Sequence, residues 1–367
     1  MLFARIVIFL AGGAVVYFTV GSAVRTVILP RGVPARLGRF VFVNMRTVFR
    51  LRAGVSAPYE KRDRVMALYA PVSLLVLLAT WVLLVMGGYV AMFWALGGRS
   101  LRGSFLLSGS SILTLGFEHP GDLAANALVF TEAGLGLALL AMLITYLPSI
   151  YQAFSRREAG VTALEVRAGS PPTGVEMIER YWILGRIDRL REVWDRWEEW
   201  FVDIEETHTS FPALVFFRSP QPDHSWVIAA GAVLDGASLI ASTVDVPREV
   251  EAEICIRSGY LALRRIADFF GIEYDPDPEQ GDPISIGRDE YDEACDRLAA
   301  AGVPLKPDRD QAWIDFAGWR VNYDQTLVPL AGLTMAPYAP WSSDRSIRSF
   351  RPRAFQFRTR TPTRPQS

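Results

Sequence analysis

The chain has 367 residues, half of them hydrophobic, and a formal net charge of −1. This length allows two or three domains, and the high hydrophobic content is typical of a chain with both a membrane part and a soluble part. The two cysteines, Cys255 and Cys295, form no CxxC pair, which argues against a disulfide framework and against a cysteine zinc site.

The net charge is the sum of three differently charged regions. Residues 1–154 carry 13 Lys or Arg and five Asp or Glu, residues 155–341 carry 18 and 33, and residues 342–367 carry seven and one. This pattern predicts a basic membrane part, an acidic globular part and a basic tail. Arginine outnumbers lysine 36 to 2, which indicates a bacterial protein from a GC-rich genome.

Residues 1–30 contain the first candidate membrane helix. Positions 6–29 are largely apolar with Arg25 as the one charged residue, and this length crosses a hydrocarbon core of ~30 Å. A signal peptide cleaved near Gly21-Ser22-Ala23 is the alternative. We favour a retained helix because residues 25–64 carry ten Lys or Arg and two acidic residues. That bias holds the loop in the cytoplasm and places the N-terminus outside.

Residues 31–66 form a basic segment on the predicted cytoplasmic side. Its arginines alternate with apolar side chains between Pro34 and Arg52, a pattern typical of an amphipathic helix that lies on the membrane surface. A nucleic-acid patch is the alternative, but membrane segments flank it closely on both sides. We therefore expect the lipid bilayer as the partner of this segment, and no nucleic acid.

Residues 67–154 contain two more membrane-length segments, with a short helix and a turn between them. Residues 69–96 carry no charge and are followed by Gly97-Gly98, and residues 124–154 form the third apolar segment. The intervening helix ends in the stretch Ser111-Ile112-Leu113-Thr114-Leu115-Gly116-Phe117. Irregular backbone at membrane depth is tolerated only where it is buried in protein or lines a water-filled cavity. The layout is therefore that of a re-entrant pore loop.

This stretch resembles the potassium-channel pore-domain superfamily, in particular its small bacterial members with an outer helix, a pore loop and an inner helix. The resemblance matches Thr114 to the last filter threonine, Leu115 to the valine, Gly116 to the first glycine and Phe117 to the tyrosine of Thr-x-Thr-Thr-Val-Gly-Tyr-Gly-Asp. It implies that these residues replace the water shell of a permeating monovalent cation such as potassium. It also implies a homotetramer, because each chain supplies one loop and the carbonyl ring needs four.

The sequence departs from the family directly after Phe117. Glu118 stands in place of the second filter glycine, where a left-handed backbone with a Cβ atom costs roughly 1 kcal/mol or more, and His119 replaces the aspartate. The resemblance therefore does not extend to potassium selectivity. Four copies of Glu118 would form an acidic ring that favours cations. The alternative is that residues 114–117 are merely a turn between two helices.

Four residues of the third segment are candidate pore or gate residues. Glu132 is a carboxylate in a membrane helix, a position that is usually functional and faces the bundle interior, so we predict it close behind the filter. Gly134 and Gly136 lie where similar channels place a flexible glycine. Pro148 lies near the cytoplasmic end, where a proline kink would suit a gate. The alternative is that the small residues serve close helix packing.

Residues 155–172 are expected to be a linker, and residues 173–341 a mostly helical cytoplasmic domain. Thr173 and Glu176 have capping-box spacing, and apolar residues near a 3.6-residue period predict one long helix over residues 178–204. Three further helices are predicted at 226–241, 247–270 and 289–301. The domain has no GxGxxG motif, which argues against a nucleotide-binding regulatory domain.

Two groups of residues in the cytoplasmic half have the residue types of an enzyme site. The spacing Glu205-x-x-His208 occurs in di-metal carboxylate proteins, but a second such motif is missing, and we interpret the pair as a solvated helix end. Asp223-His224-Ser225 has triad residue types, yet sequence neighbours seldom converge on one point. We therefore expect no catalytic residue, no bound metal and no cofactor. The default role of the domain is packing between subunits or against a cytosolic protein partner.

Residues 342–367 are rich in Arg, Pro, Thr and Ser and are predicted to be a disordered basic tail. Contact with anionic lipid, contact with the acidic domain and simple solvation remain open for it. The sequence as a whole predicts an all-α membrane protein of a bacterial inner membrane that conducts monovalent cations through a tetrameric pore loop. The alternatives are a non-conducting membrane scaffold or sensor, and a membrane-bound enzyme that uses the helical domain.

Overall fold

The computed structural model describes residues 2–28, 36–54 and 59–345. Within these ranges the regular structure is helical, and no β-strand is present beyond an isolated bridge between Val244 and Leu305. The chain divides into two compact units, Met1–Gln152 and Ala153–Ser367.

Among the described residues, three helical stretches are long and apolar enough to cross a membrane: Leu2–Val27, Tyr59–Leu96 and Leu123–Ala168. This confirms the prediction of an all-α membrane protein. The helices that begin in the first unit are α1 (Leu2–Val27), α2 (Arg36–Ala53), α3 (Tyr59–Ala67), α4 (Tyr69–Leu96), α5 (Leu101–Ile112) and α6 (Leu123–Ala168).

Close packing of α1 on α4 depends on two glycines. A Cβ atom on Gly12 would meet the carbonyl oxygen of Gly88, and one on Gly88 would meet the side chain of Val16. Helices in a membrane gain little from burying apolar surface against each other, so such close backbone approach and its dispersion energy hold them together. The first membrane helix is thus attached along the side of α4.

The basic segment, residues 31–66, contains α2 and most of α3, and its residues 31–35 and 55–58 lie outside the described residues. Helix α2 contacts the start of α4, where the Tyr69 hydroxyl donates to the Phe42 carbonyl at 2.9 Å and the Phe49 ring packs edge-on against Tyr69. Phe40 and Leu51 are exposed on α2. This exposed apolar surface beside arginines fits a helix that lies on a membrane surface.

The third membrane helix is longer than expected, because α6 continues to Ala168 and includes most of the predicted linker 155–172. Its last part belongs to the second unit, where Val161, Leu164 and Ala168 are buried at helical spacing. These apolar positions extend the helix, since each contributes to a hydrophobic core. The chain turns only at Gly169, whose φ is +82°.

Arg157, on this part of α6, is fully buried in the second unit. Its guanidinium donates to the carbonyl oxygens of Leu214 at 2.9 Å and Phe217 at 2.7 Å, and it pairs with Glu158 at 2.8 Å. The Trp200 indole donates in turn to the Arg157 carbonyl at 3.1 Å. A buried cation is tolerated only with such partners, so Arg157 fixes the end of α6 to the segment that follows α8.

The helices of the second unit surround one central helix, α9, in which every residue except Ala241 is buried. Its interpretation as a short buried helix agrees with the structure. Helices α7, α10 and α12 pack directly on α9, and α8 packs on α10. The bounds are α7 (Gly174–Ile183), α8 (Leu190–Ser210), α9 (Trp226–Ser242), α10 (Val250–Phe270), α11 (Arg288–Ala300) and α12 (Arg309–Thr334).

The prediction of one helix over residues 178–204 was wrong, because residues 184–189 interrupt it between α7 and α8. Gly185 adopts a left-handed conformation with φ +63°, and the Arg186 amide donates back to the Tyr181 carbonyl at 2.9 Å. This is a helix C-cap of the type that glycine favours. The apolar period continues across the break, since both helices bury one face in the same core.

Two more expectations for the second unit were incomplete. Helix α12 was not predicted, because buried charged residues interrupt its apolar pattern, although Asp308 caps it by accepting from the Gln311 amide at 2.9 Å. Residues 342–345 of the predicted disordered tail are ordered, with Arg345 donating to the Ser285 carbonyl at 2.8 Å and pairing with Glu290. Residues 346–367 of the tail lie outside the described residues.

A buried ion-pair network joins α9 to α12. The fully buried Arg320 pairs with Asp235 and, at 2.8 Å, with Asp324, and it donates to the Trp341 carbonyl at 2.6 Å. The Tyr323 hydroxyl donates to Asp235 at 2.9 Å. Burial alone would lower the pKa of Arg320, but the two carboxylates outweigh it and raise that pKa, so the guanidinium stays charged.

We expect Arg320→Leu to lower the free energy of unfolding by about 3–5 kcal/mol, since it leaves two buried carboxylates without their cation. Eight of the ten tryptophans follow residue 153, so tryptophan fluorescence of the full chain in detergent reports mainly on this unit. The control Arg288→Leu removes exposed pairs with Asp292 and Asp310 and should cost less than about 1 kcal/mol. Equal losses for the two variants would contradict this assignment.

Candidate functional site

The short helix α5 begins with a side-chain cap. Ser100 has an extended backbone, and its hydroxyl accepts from the Gly103 amide at 3.2 Å. Three serines on one face of the helix, Ser104, Ser108 and Ser111, are buried. Their spacing of four and three residues places them on one side of a helix. Helix α5 therefore buries a polar stripe among membrane-length helices.

Helix α5 ends in a left-handed turn at Thr114, whose φ is +53°. The Thr114 amide donates to the Ser111 carbonyl at 2.9 Å, and the Leu115 amide donates to the Ser110 carbonyl at 2.8 Å. This pair of bonds is the Schellman motif, in which glycine is the usual left-handed residue. A β-branched residue there costs roughly 1–2 kcal/mol. The threonine matched to the filter thus closes the end of the helix.

The loop then returns along α5 towards the start of that helix. The Ser110 hydroxyl accepts from the amides of Phe117 at 3.0 Å and Glu118 at 3.3 Å. Arg99, which precedes α5, pairs with Glu118 at 3.2 Å and donates to the His119 carbonyl at 2.9 Å. The loop is therefore held at both ends of α5, and the Glu118 carboxylate, which is one-third exposed, has a cation beside it.

Two contacts fix the depth at which α5 ends. The Ser111 hydroxyl donates to the Val129 carbonyl at 2.8 Å, and a Cβ atom on Gly136 would collide with the carbonyl oxygen of Ile112. Gly136 lies 13 residues after the start of α6, which corresponds to about 20 Å along that helix. The apolar core of a bilayer is ~30 Å thick, so in a membrane the turn after α5 would lie beside α6 at a depth within that core.

Glu132 lies on α6 against the polar stripe of α5. It is fully buried, and the Ser108 hydroxyl donates to its Oε1 atom. Among the described residues, its Oε2 atom and the Ser104 hydroxyl have no hydrogen-bond partner. The carboxyl group therefore contacts helix α5 within one chain.

The other candidate gate residues have different surroundings. A Cβ atom on Gly134 would meet nothing within 4 Å, whereas Gly136 is packed on α5. Pro148 lies inside α6, which continues unbroken beyond it. The proline removes one backbone donor from the helix, and the residue is exposed on the isolated chain.

The structure separates the enzyme-like residues of the second unit. Glu205 pairs with Arg265, while His208 is fully buried, 3.2 Å from the Arg157 guanidinium. The interpretation of the Glu205–His208 pair as a solvated helix end was therefore wrong for His208. His224 pairs with Glu165 at 2.8 Å. In the part of the chain that the structure describes, no three His, Cys, Asp or Glu side chains are grouped to hold a metal.

Two residues of the loop's support, Ser110 and Arg99, were missed by sequence reasoning. Ser110 is one of four serines in α5, so its residue type does not distinguish it. It differs from the others only in the folded turn, where its carbonyl, five residues before Leu115, accepts from the Leu115 amide. Arg99 follows the Gly97-Gly98 break, and the sequence alone does not distinguish it from an ordinary solvated charge in a loop. No local signal identifies a side chain whose partner is another loop.

Comparison with protein-family models, with curated proteins and with solved structures gives no match for this chain. The candidate site is therefore defined by its own geometry. That geometry consists of the short helix α5, its returning loop and the two carboxylates Glu118 and Glu132.

The packing of α5 on α6 predicts opposite effects of alanine at two nearby glycines. Gly136→Ala should lower stability by about 1–3 kcal/mol, because its methyl group would force α6 away from Ile112. Gly134→Ala should be neutral or stabilise by up to about 1 kcal/mol, since the site is open and alanine favours a helix. Thermal unfolding of the two full-length variants in the same detergent compares them. A loss at Gly134 as large as that at Gly136 would contradict the contact.

The burial of His208 predicts that the stability of the second unit depends on pH. Burial, and then the charge of Arg157, lowers its pKa well below the usual value, so the folded state holds it neutral. Stability is then full above about pH 6.5 and falls as the pH drops towards the lower pKa of the folded state, by up to about 1.4 kcal/mol per unit. Tryptophan-monitored unfolding between pH 7.5 and 5.5 measures this slope. In His208→Gln the slope should shrink by about that amount, and an unchanged slope would refute the assignment.

Proposed function

We propose that this chain is one subunit of a pore-loop cation channel in a bacterial inner membrane, with its N-terminus outside and its second unit in the cytoplasm. The observation that carries the proposal is the depth of the turn after α5, which Gly136 and Ile112 fix between membrane-length helices. Irregular backbone at that depth is tolerated where it lines a water-filled path, which suits a short helix that ends there and continues as a loop.

The proposed assembly is a homotetramer. One chain provides one returning loop, and a single loop cannot enclose an ion path. Four copies related by a symmetry axis would arrange four loops of residues 113–118 around it, as ring-shaped ion paths require. The second unit then serves as a packing domain between subunits or for a cytosolic protein partner.

The proposed ions are monovalent cations. Helix α5 directs its negative C-terminal end towards the turn that follows it, which favours positive charge there. Glu118 adds a partly exposed carboxylate, although Arg99 at 3.2 Å offsets it. Potassium selectivity is not part of the proposal, since Thr114 closes the helix end and Glu118 replaces the second filter glycine.

A non-conducting membrane scaffold or sensor is the second candidate, and one observation favours it. Several polar groups of the loop already have partners within one chain, because Ser110 accepts two of its amides and Arg99 holds both Glu118 and the His119 carbonyl. A loop closed in this way offers fewer free groups to an ion than an open filter does.

Cation flux from purified full-length protein in liposomes tests conduction, and the particle mass in detergent tests the tetramer. We expect four chains per particle and a measurable potassium or sodium flux that depends on protein. A particle of any other stoichiometry argues against the pore. Four chains per particle without flux at any voltage support the scaffold.

Glu118 and Arg99 should change ion preference in opposite directions. Glu118→Gln removes the carboxylate and should reduce the cation-to-anion permeability ratio severalfold, whereas Arg99→Gln frees the carboxylate and should raise it. Reversal potentials in a salt gradient measure both, with low ionic strength enlarging the effect. Equal reversal potentials for the native chain and both variants would remove Glu118 from the ion path.

A further inference from the structure

The loop after α5 exposes three large apolar side chains. Leu113, Leu115 and Phe117 have 58%, 60% and 58% of their surface exposed, and they alternate along the loop. The residues between them, Thr114 and Gly116, have positive φ values of 53° and 72°. These two turns fold the backbone back over the end of α5. The hydrogen bonds to Ser110 hold this form, so the exposure belongs to an ordered loop.

Neither water nor lipid is a suitable cover for this surface. Water would leave three contiguous apolar side chains hydrated, which is unfavourable for so large a patch. Lipid would surround irregular backbone, and such backbone is not found exposed to lipid at membrane depth. The Gly136 contact with Ile112 holds the loop at that depth. Protein is the remaining cover, and the apolar character of the patch suits the same patch on further copies of this chain.

We propose that Leu113, Leu115 and Phe117 of the assembled copies meet around the symmetry axis and form a hydrophobic constriction in the ion path. This proposal rests on the proposed channel function and identifies the gate of that channel. Rings of apolar side chains in a narrow pore exclude water, and an ion cannot cross the dry stretch until the ring widens or is wetted. The loop then acts as a barrier rather than as a carbonyl filter.

The constriction predicts that a polar side chain at this level opens the path. Leu115→Ser should raise cation flux in liposomes by about tenfold or more, because a ring of hydroxyl groups holds water where the leucines exclude it. Phe117→Ser should act in the same direction. Leu115→Ile keeps the ring apolar and should raise the flux far less than Leu115→Ser does.

Leu101→Ser is the matched control. Leu101 is 63% exposed, like Leu115, but it lies at the opposite end of α5. The same Leu-to-Ser change there should leave the flux unchanged. An increase for Leu101→Ser equal to that for Leu115→Ser would indicate a general leak and overturn the constriction.

The outcomes separate this inference from the channel function itself. A native chain that conducts, with Leu115→Ser and Phe117→Ser at the native flux, overturns the constriction and leaves the channel function standing. A native chain that is silent, with Leu115→Ser conducting, supports both. Silence of the native chain and of every variant overturns the channel function and the constriction together.

Cross-linking tests the meeting of the loops without any flux. Leu115→Cys in the full chain, treated in membranes with copper–phenanthroline, should give disulfide-linked dimers that a reductant reverses. The native chain is a suitable background, because Cys255 and Cys295 are buried and should not link copies. Leu101→Cys should give no disulfide-linked dimer. Absence of the dimer from Leu115→Cys, with the variant folded and assembled, would overturn the constriction even where the protein conducts.

Discussion

The contact between Gly136 and the carbonyl oxygen of Ile112 is the constraint on which the membrane part depends. It lets α6 approach the end of α5 more closely than any side chain would allow, and so sets the depth of the turn. Two hydrogen bonds, from Ser108 to Glu132 and from Ser111 to Val129, also join these helices. The loop begins directly after Ile112, so its position depends on the absence of a Cβ atom at Gly136.

Polar groups of the membrane part then determine which side chains the loop exposes. Ser110 uses its hydroxyl to hold two loop amides, and Arg99 holds the far end through Glu118. With its polar groups held near α5, the loop presents Leu113, Leu115 and Phe117 outward. An ion path built from such a surface would be controlled by hydration of side chains more than by carbonyl coordination.

Helix α6 begins in the first unit and ends in the second. Its last part contributes Arg157 to the core of the second unit, where two carbonyl groups, a carboxylate and the Trp200 indole surround the residue. Buried charges with this many partners resist displacement, because removal of any partner leaves a costly unpaired group. Residues 153–168 are therefore tied to the segment that holds Arg157, and α9 with its Arg320 network lies at the centre of that unit.

The sequence by itself determined the membrane class, the three long apolar helices, the short helix between two of them and the central α9, because length and apolar content are local properties. Periodicity did not reveal the break at Gly185 or helix α12, since the apolar period crosses the first and buried ion pairs interrupt the second. Only the tertiary structure decided the roles of Thr114, Ser110 and Arg99 and the burial of Glu132. Ser110, Arg99 and Glu132 have their partners 7, 19 and 24 residues away, and such hydrogen bonds leave no period in the sequence. Thr114 bonds locally to Ser111, but its left-handed conformation is one that its residue type does not favour.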